Sequence, residues 1–169
     1  MNPAPPSAPP QPALIDTNVL IYATLRRDHR YGAARDLVLG PDEVWGRRFV
    51  SVQNLAEMYP NLTGPKMTVP DEPDQASDKV AALGRLPYVT VLPVTLRTVE
   101  RTLELCRKYS VRRQRYFDAQ LVALMLEHDL RRLYTENTRD FSDLVMDTEI
   151  EVHNPFEDAA LSPTDPFPG

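Results

Sequence analysis

Asp16, Glu57, Asp118 and Asp140 are the acidic residues of this sequence whose settings could serve chemistry. Asp16 ends the apolar run Ala13, Leu14, Ile15, just before Val19, Leu20, Ala23 and Thr24 take up helical spacing. It therefore lies where a strand gives way to a helix, and open α/β sheets bind ligands outside the carboxyl ends of their strands. Capping of that helix, by Asp16 or by Thr17 beside it, is the other role open to such a position. Asp118 heads an apolar face formed by Leu121, Val122 and Met125. An ionised carboxylate there is costly unless it is paired, hydrogen-bonded or bound to a cation. A first-turn acid favoured by the helix dipole would also fit.

Glu57 has a weaker local case. Val52, Leu55, Ala56, Tyr59 and Leu62 define a helix face directed away from it, which makes Glu57 read as solvated. The stretch TENTRDF, residues 135 to 141, again follows a strand with hydroxyl, amide and carboxylate groups. Asn137 or Thr138 could cap a short helix there, with Asp140 as its first-turn acid. If the strands are parallel, all four acids come to one edge of the sheet. Crowded carboxylates raise one another's pKa unless a divalent cation neutralises them. Hard oxygen ligands of this kind select Mg²⁺ or Mn²⁺.

The elements that must position these residues alternate along the chain. HRYGAARDLVL predicts a helix stopped by Gly40 and Pro41, and VWGRRFVS a short strand. VQNLAEMYPNL predicts a helix that Pro60 bends or ends. Residues 64 to 74, with three prolines and a glycine, predict an exposed loop or insertion. ASDKVAALGRL reads as a helix, YVTVLPV as a strand, and LRTVERTLELCRKY as a helix with apolar residues at Leu96, Val99, Leu103 and Cys106. FDAQLVALMLEHDL is a further helix, RRLYT a strand, and TEIEVHNPF the last strand. Such alternation implies a three-layer α/β domain with a mostly parallel sheet covered on both faces.

Composition narrows the function classes. The 169 residues suit one domain. Six of the seventeen prolines fall in residues 1 to 12 and four between Pro155 and Pro168. The expected organisation is a disordered leader (1 to 12), a domain (13 to 155) and a proline-rich tail (156 to 169). Cys106 stands alone, so neither an intramolecular disulfide nor a multi-cysteine metal site can form. The opening residues do not read as a secretory signal, and no apolar run reaches membrane length, so the cytoplasm is the expected location. His29, His128 and His153 show no metal-ligand spacing, and His128 suits a helix end. A haloacid-dehalogenase phosphotransferase would need Asp-x-Asp after the first strand, whereas this chain has Asp-Thr-Asn.

LIDTNVLIYA, NLAEMY and FDAQLVALMLEHDLRRLYTENTRDF together resemble the PIN domain, specifically the VapC type of toxin ribonuclease, over roughly residues 13 to 155. The resemblance implies a Mg²⁺- or Mn²⁺-dependent endoribonuclease that leaves 5′-phosphate and 3′-hydroxyl ends. It implies that Asp16, Asp118 and Asp140 bind metal, and that Glu57 binds metal or orients the attacking water. Thr17, Asn18, Thr135 and Asn137 would orient those ligands by hydrogen bonds. The long leader, Pro60 and the 64 to 74 stretch depart from the family pattern. The resemblance further implies a cognate antitoxin that inserts an Arg or Lys into the acidic site, and a toxin homodimer. An RNA-processing PIN nuclease without an antitoxin, and a non-catalytic binding module, are the alternatives.

The net charge of −5 argues against binding nucleic acid through overall charge, so RNA needs a local basic surface. RKYSVRRQRYFD supplies one just before Asp118, with Arg112, Arg113 and Arg115 to dock phosphates and Tyr109 or Tyr116 to stack bases. Residues Arg26 to Arg30 could extend it.

Overall fold

In the computed structural model, residues 10 to 157 are described. Residues 1 to 9 and 158 to 169, which carry most of the expected leader and tail, lie outside the described residues.

Five strands form one parallel sheet: β1 (Ala13–Ile15), β2 (Arg48–Ser51), β3 (Val89–Leu92), β4 (Arg132–Tyr134) and β5 (Glu151–His153). Their order is β3-β2-β1-β4-β5, so the chain grows first to one side of β1 and then returns to the other. That reversal makes a crevice between the carboxyl ends of β1 and β4, the kind of place where open α/β sheets bind ligands.

The strands are short, the central three are buried, and their residues alternate between two cores. Leu14, Phe49 and Leu133 are in register across β2, β1 and β4, and they pack toward α6 (Leu96–Lys108), α7 (Arg115–Glu127) and α8 (Thr138–Phe141). Ala13, Ile15, Val50 and Tyr134 face the other way, onto α1 (Thr17–Tyr22), α2 (Tyr31–Leu39), α4 (Val52–Leu62) and α5 (Pro73–Gly84). The expected three-layer α/β arrangement is present.

Several local expectations shift. Val44 and Trp45 belong to a short helix, α3 (Asp42–Trp45), and β2 begins only at Arg48. Gly46 makes the break with φ of 74°, and a Cβ there would lie 2.2 Å from the Gln11 carbonyl oxygen. Residues 64 to 72 form the expected loop, but Pro73 and Asp74 already open α5, because proline is favoured in a helix's first turn. Pro60 lies inside α4 without ending it. The Asn61 side-chain amide donates to the Glu57 carbonyl at 2.8 Å, giving a partner to the turn the proline ring disturbs.

Two helices bury a different face from the one read off their apolar residues. On α6, Leu96 is 74% and Leu103 42% exposed, while Thr98 and Thr102 are buried. The threonines fit because their hydroxyls are satisfied: Thr102 donates to the Thr98 carbonyl and Thr98 to Glu127. On α4 the buried residues are Asn54, Met58 and Leu62, whereas Val52 and Tyr59 are exposed. Phe156, the first residue of the expected tail, is buried edge-on against Tyr22.

Candidate active site

Asp16 caps α1, and its two oxygens are held from opposite sides of the crevice. Oδ1 accepts the Thr17 backbone N–H at 2.7 Å; Oδ2 accepts the Thr135 hydroxyl at 2.8 Å. Both roles left open for Asp16, cap and sheet-edge carboxylate, are thus filled at once. The Asn18 amide donates to Thr135 Oγ1 at 3.1 Å and lies 3.5 Å from Asp16 Oδ2, while its own carbonyl accepts the Glu136 N–H. Thr135 Oγ1 also accepts the Asn137 N–H at 3.1 Å. The turn after β4 is therefore tied to the turn after β1 by side chains at every step.

Glu57 comes to this edge because α4 packs on α1 through polar contacts. Ser51 and Asn54 form a reciprocal cap at the start of α4, which fixes Asn54 so that it donates to Thr17 Oγ1 at 3.1 Å. Thr17 Oγ1 lies 3.2 Å from Glu57 Oε2 as donor, and the Gln53 amide donates to Oε1 at 2.7 Å. The solvated position read from the apolar face is corrected by this packing. The signal for Asn54 was present as the Ser-x-x-Asn spacing of a cap; the Gln53 contact had no signal beyond its i to i+4 separation from Glu57.

Asp118 lies in the first turn of α7, ahead of the buried Leu121, Val122 and Met125. Burial pushes its carboxyl up to about 7, reinforced by the charges of Asp16 and Asp140 and opposed by Arg115. Burial likewise raises Asp16 to about 6; the Thr135 and Thr17 hydrogen bonds oppose the rise, and Glu57 and Asp140 add to it. Asp140, on α8, is exposed and completes the group electrostatically. Among the described residues, none of these four carboxylates takes part in an ion pair, although Asp28, Asp71, Asp143 and Asp147 all do.

Nor, among the described residues, do any three His, Cys, Asp or Glu side chains already converge as a ready metal cage. Unneutralised like charges favour such separation. The donor set itself is all oxygen, with Arg115 the one cation that acts on Asp118 and no ion pair to the four acids among the described residues, which is the chemistry a hard divalent cation requires.

The expected basic residues divide. Arg115 is engaged, bonding the Asp143 carboxylate and donating to the Asp140 carbonyl at 3.2 Å. Arg112 and Arg113 are exposed before α7, with no ion pair among the described residues. Tyr109 is partly buried in the core and donates to Asp147, so it serves packing; Tyr116 contacts Phe117 edge-on. His128 is the C-cap of α7, and Cys106 is half-buried. Not foreseen was a cluster beside Asn18, in which Arg30 bridges Asp28 and Glu136 above the Tyr22 ring.

A parallel sheet ordered about a switch point, with acids at its carboxyl edge, defines an α/β domain built to present carboxylates. The PIN domain family model matches residues 13–145, and the chain belongs to that family. Its fold is similar to Mycobacterium tuberculosis VapC20, a sarcin-ricin loop cleaving toxin, at 20% identity over 78% of this chain and 94% of that one, with a TM-score of 0.61. A toxin-antitoxin complex from Klebsiella pneumoniae is similar at 22% identity, 86% and 98% coverage and TM-score 0.57. VapBC-1 from nontypeable Haemophilus influenzae is similar at 18% identity, 86% and 99% coverage and TM-score 0.58. No curated protein sequence matches the chain. Among the described residues no helix is long and apolar enough to cross a membrane.

Proposed function

We propose that this protein is a Mg²⁺- or Mn²⁺-dependent endoribonuclease of the VapC toxin type, acting from residues 13 to 155 in the cytoplasm. It hydrolyses RNA to 5′-phosphate and 3′-hydroxyl ends and is restrained by a cognate antitoxin. The observation that carries this reading is the set Asp16, Glu57, Asp118 and Asp140. Among the described residues these carboxylates take part in no ion pair, they lie toward the carboxyl edge of the sheet, and burial, reinforced by their mutual charge, raises Asp16 and Asp118. Membership of the PIN family and likeness to toxins and toxin-antitoxin complexes support it.

Asp16, Asp118 and Asp140 would hold the cation. Once bound there, it supplies charge neutralisation and a lowered pKa for water. The chain's own residues do the rest. Thr135 and the Thr17 N–H fix both oxygens of Asp16, so its orientation costs nothing at the moment of reaction. Thr17 and Gln53 hold Glu57 with an oxygen each, placing it to orient a water or take its proton. Asn18 and Asn137 keep Thr135 in place. Arg112 and Arg113 dock the RNA backbone, and Arg115 aligns the Asp140 turn.

Uncompensated carboxylates also make a receptor for an inserted arginine or lysine, which is how an antitoxin would silence the site. The active form is a homodimer in this reading. The test is incubation of the purified protein with total RNA in Mg²⁺, Mn²⁺ or EDTA, followed by analysis of product ends. Metal-dependent cuts bearing 5′-phosphates are expected; cutting that persists in EDTA, or yields cyclic phosphates, refutes the mechanism.

A further inference from the structure

We propose that the cavity beside Asp16, walled by Tyr22, Arg30, Asn61, Lys66 and Met67, seats one unpaired RNA base next to the bond that is cut. The inference rests on the nuclease reading above and adds to it a site for choosing sequence.

The cavity has a volume of about 400 Å³, within the roughly 300–1,000 Å³ of small-ligand pockets. None of the four acids lines it, but it adjoins the acidic edge through Asn18, bonded to Thr135 beside Asp16, and Asn61, bonded to the Glu57 backbone carbonyl. An occupant therefore sits one side chain, Asn18, away from Asp16, the distance of a nucleotide flanking the cut.

Its chemistry suits a neutral, planar group. Arg30 is fixed by three side-chain hydrogen bonds to two residues: Nε and Nη2 donate to the two Asp28 oxygens at 2.9 Å, and Nη1 to Glu136 at 2.6 Å. Its carbon lies 3.6 Å from the Tyr22 ring centroid, so guanidinium and ring are layered. Tyr22 is held in turn, because its hydroxyl donates to the other Glu136 oxygen at 2.7 Å. Three elements of the fold thus cooperate to hold one side chain flat. RNA-binding proteins stack bases on such guanidinium planes and aromatic rings. Arg30 pairs with both carboxylates of the cavity and offsets one of their two charges, and Lys66 on the same wall offsets the other, which lowers the repulsion toward RNA. Asn61 Oδ1 and the Asn137 side chain have no hydrogen-bond partner among the described residues, which leaves amide groups for a base edge. Lys66, exposed and without an ion pair among the described residues, is the cation left for a flanking phosphate. Ile21, Leu25 and Met67 give the cavity an apolar lining that a base can cover and a hydrated ion cannot.

The test uses two variants. Arg30→Ala removes the flat cation; Met67→Trp fills the cavity from the loop and leaves the ion pairs intact, so it decides the matter if Arg30→Ala does not fold. Binding is measured by fluorescence anisotropy in an Asp118→Asn background with Mn²⁺, using labelled single-stranded RNA octamers of randomised sequence and the same backbone lacking bases. Cleavage positions are mapped by sequencing in the otherwise native protein. Binding of the octamers should weaken about tenfold or more, the range one stacked base supplies; in Met67→Trp, which changes no charge, binding of the baseless backbone stays unchanged, and in Arg30→Ala it weakens less than that of the octamers because Asp28 and Glu136 lose their cation. Base preference should also relax at one position beside the cut. Binding within twofold of the parent protein, with unchanged base preference, overturns the proposal and leaves the nuclease reading standing. If the native protein cuts nothing but both variants still lose octamer binding, the base site stands and the nuclease reading falls.

Discussion

The Thr135 hydroxyl donates to Asp16 Oδ2 at 2.8 Å, joining the turn after β4 to the turn after β1 across the point where strand order reverses. Thr135 is fully buried and bonded on all sides, so Asp16 is a fixed group on a rigid support. Thr135→Val keeps the shape and deletes the donor. It leaves the Asn18 amide and the Asn137 N–H without their acceptor, at a cost of about 1–3 kcal/mol. Chemical denaturation should show that loss, and RNA cleavage should fall about tenfold or more because one ligand oxygen is no longer aimed.

Asp118 carries a pH signature. Its folded pKa of about 7 lies above the ordinary 3.8, so the folded state holds its proton more tightly than the unfolded state does. The resulting penalty is absent well below pH 3.8, grows as pH rises, and is complete above about 7. Asp118→Asn, which carries no charge, is therefore expected to be more stable than the parent at pH 8 without metal, by of order 1–2 kcal/mol after allowing for solvent. At pH 4 the two should unfold together. Thermal melts across this range check the sign.

Divalent metal should reverse that penalty. Mg²⁺ or Mn²⁺ at a hundredfold excess over its dissociation constant stabilises by about 2.7 kcal/mol. Protons compete for Asp16 and Asp118, raised to about 6 and about 7. The rise in melting temperature should thus be larger at pH 8 than at pH 5.5, and Asp118→Asn should blunt it at pH 8.

Far from the acids in charge logic, Asp28 behaves in the opposite sense. Its hydrogen bonds to Arg30 hold it down at about 2, below the ordinary 3.8. It contributes stability that is complete above about pH 4 and is lost as pH falls through about 2. Asp28→Asn should be less stable than the parent at pH 7, with the gap closing below pH 4 in urea titrations.

Gly46→Ala should destabilise by about 1 kcal/mol or more from its positive φ alone. The 2.2 Å approach to the Gln11 carbonyl adds to that. Gly32, where a Cβ meets nothing within 4 Å, is the control.

Much of the fold was legible because strands of three or four buried residues and their flanking helices leave a clear alternation, as at Ala13–Ile15 and Arg132–Tyr134. Asp16 and Asp118 were legible for the same reason, each interrupting or heading an apolar pattern. Glu57 was not legible from its own helix. The face of α4 is set by Asn54 meeting Thr17, a polar contact 37 residues apart that no periodicity records. The α6 face failed similarly, since Thr98 and Thr102 are buried only because Glu127 and a helix carbonyl satisfy them. The Arg30 cluster joins residues 106 and 114 positions apart and exists only once the sheet is assembled.

The most direct measurement is cleavage of end-labelled RNA in Mn²⁺ by the native protein and by Asp118→Asn, both shown to be folded by circular dichroism. Cutting by the native protein that leaves 5′-phosphates, and a loss of at least about a hundredfold in the variant, is the expected result. Equal cutting by the two proteins would contradict the assignment of the acidic edge as the catalytic site.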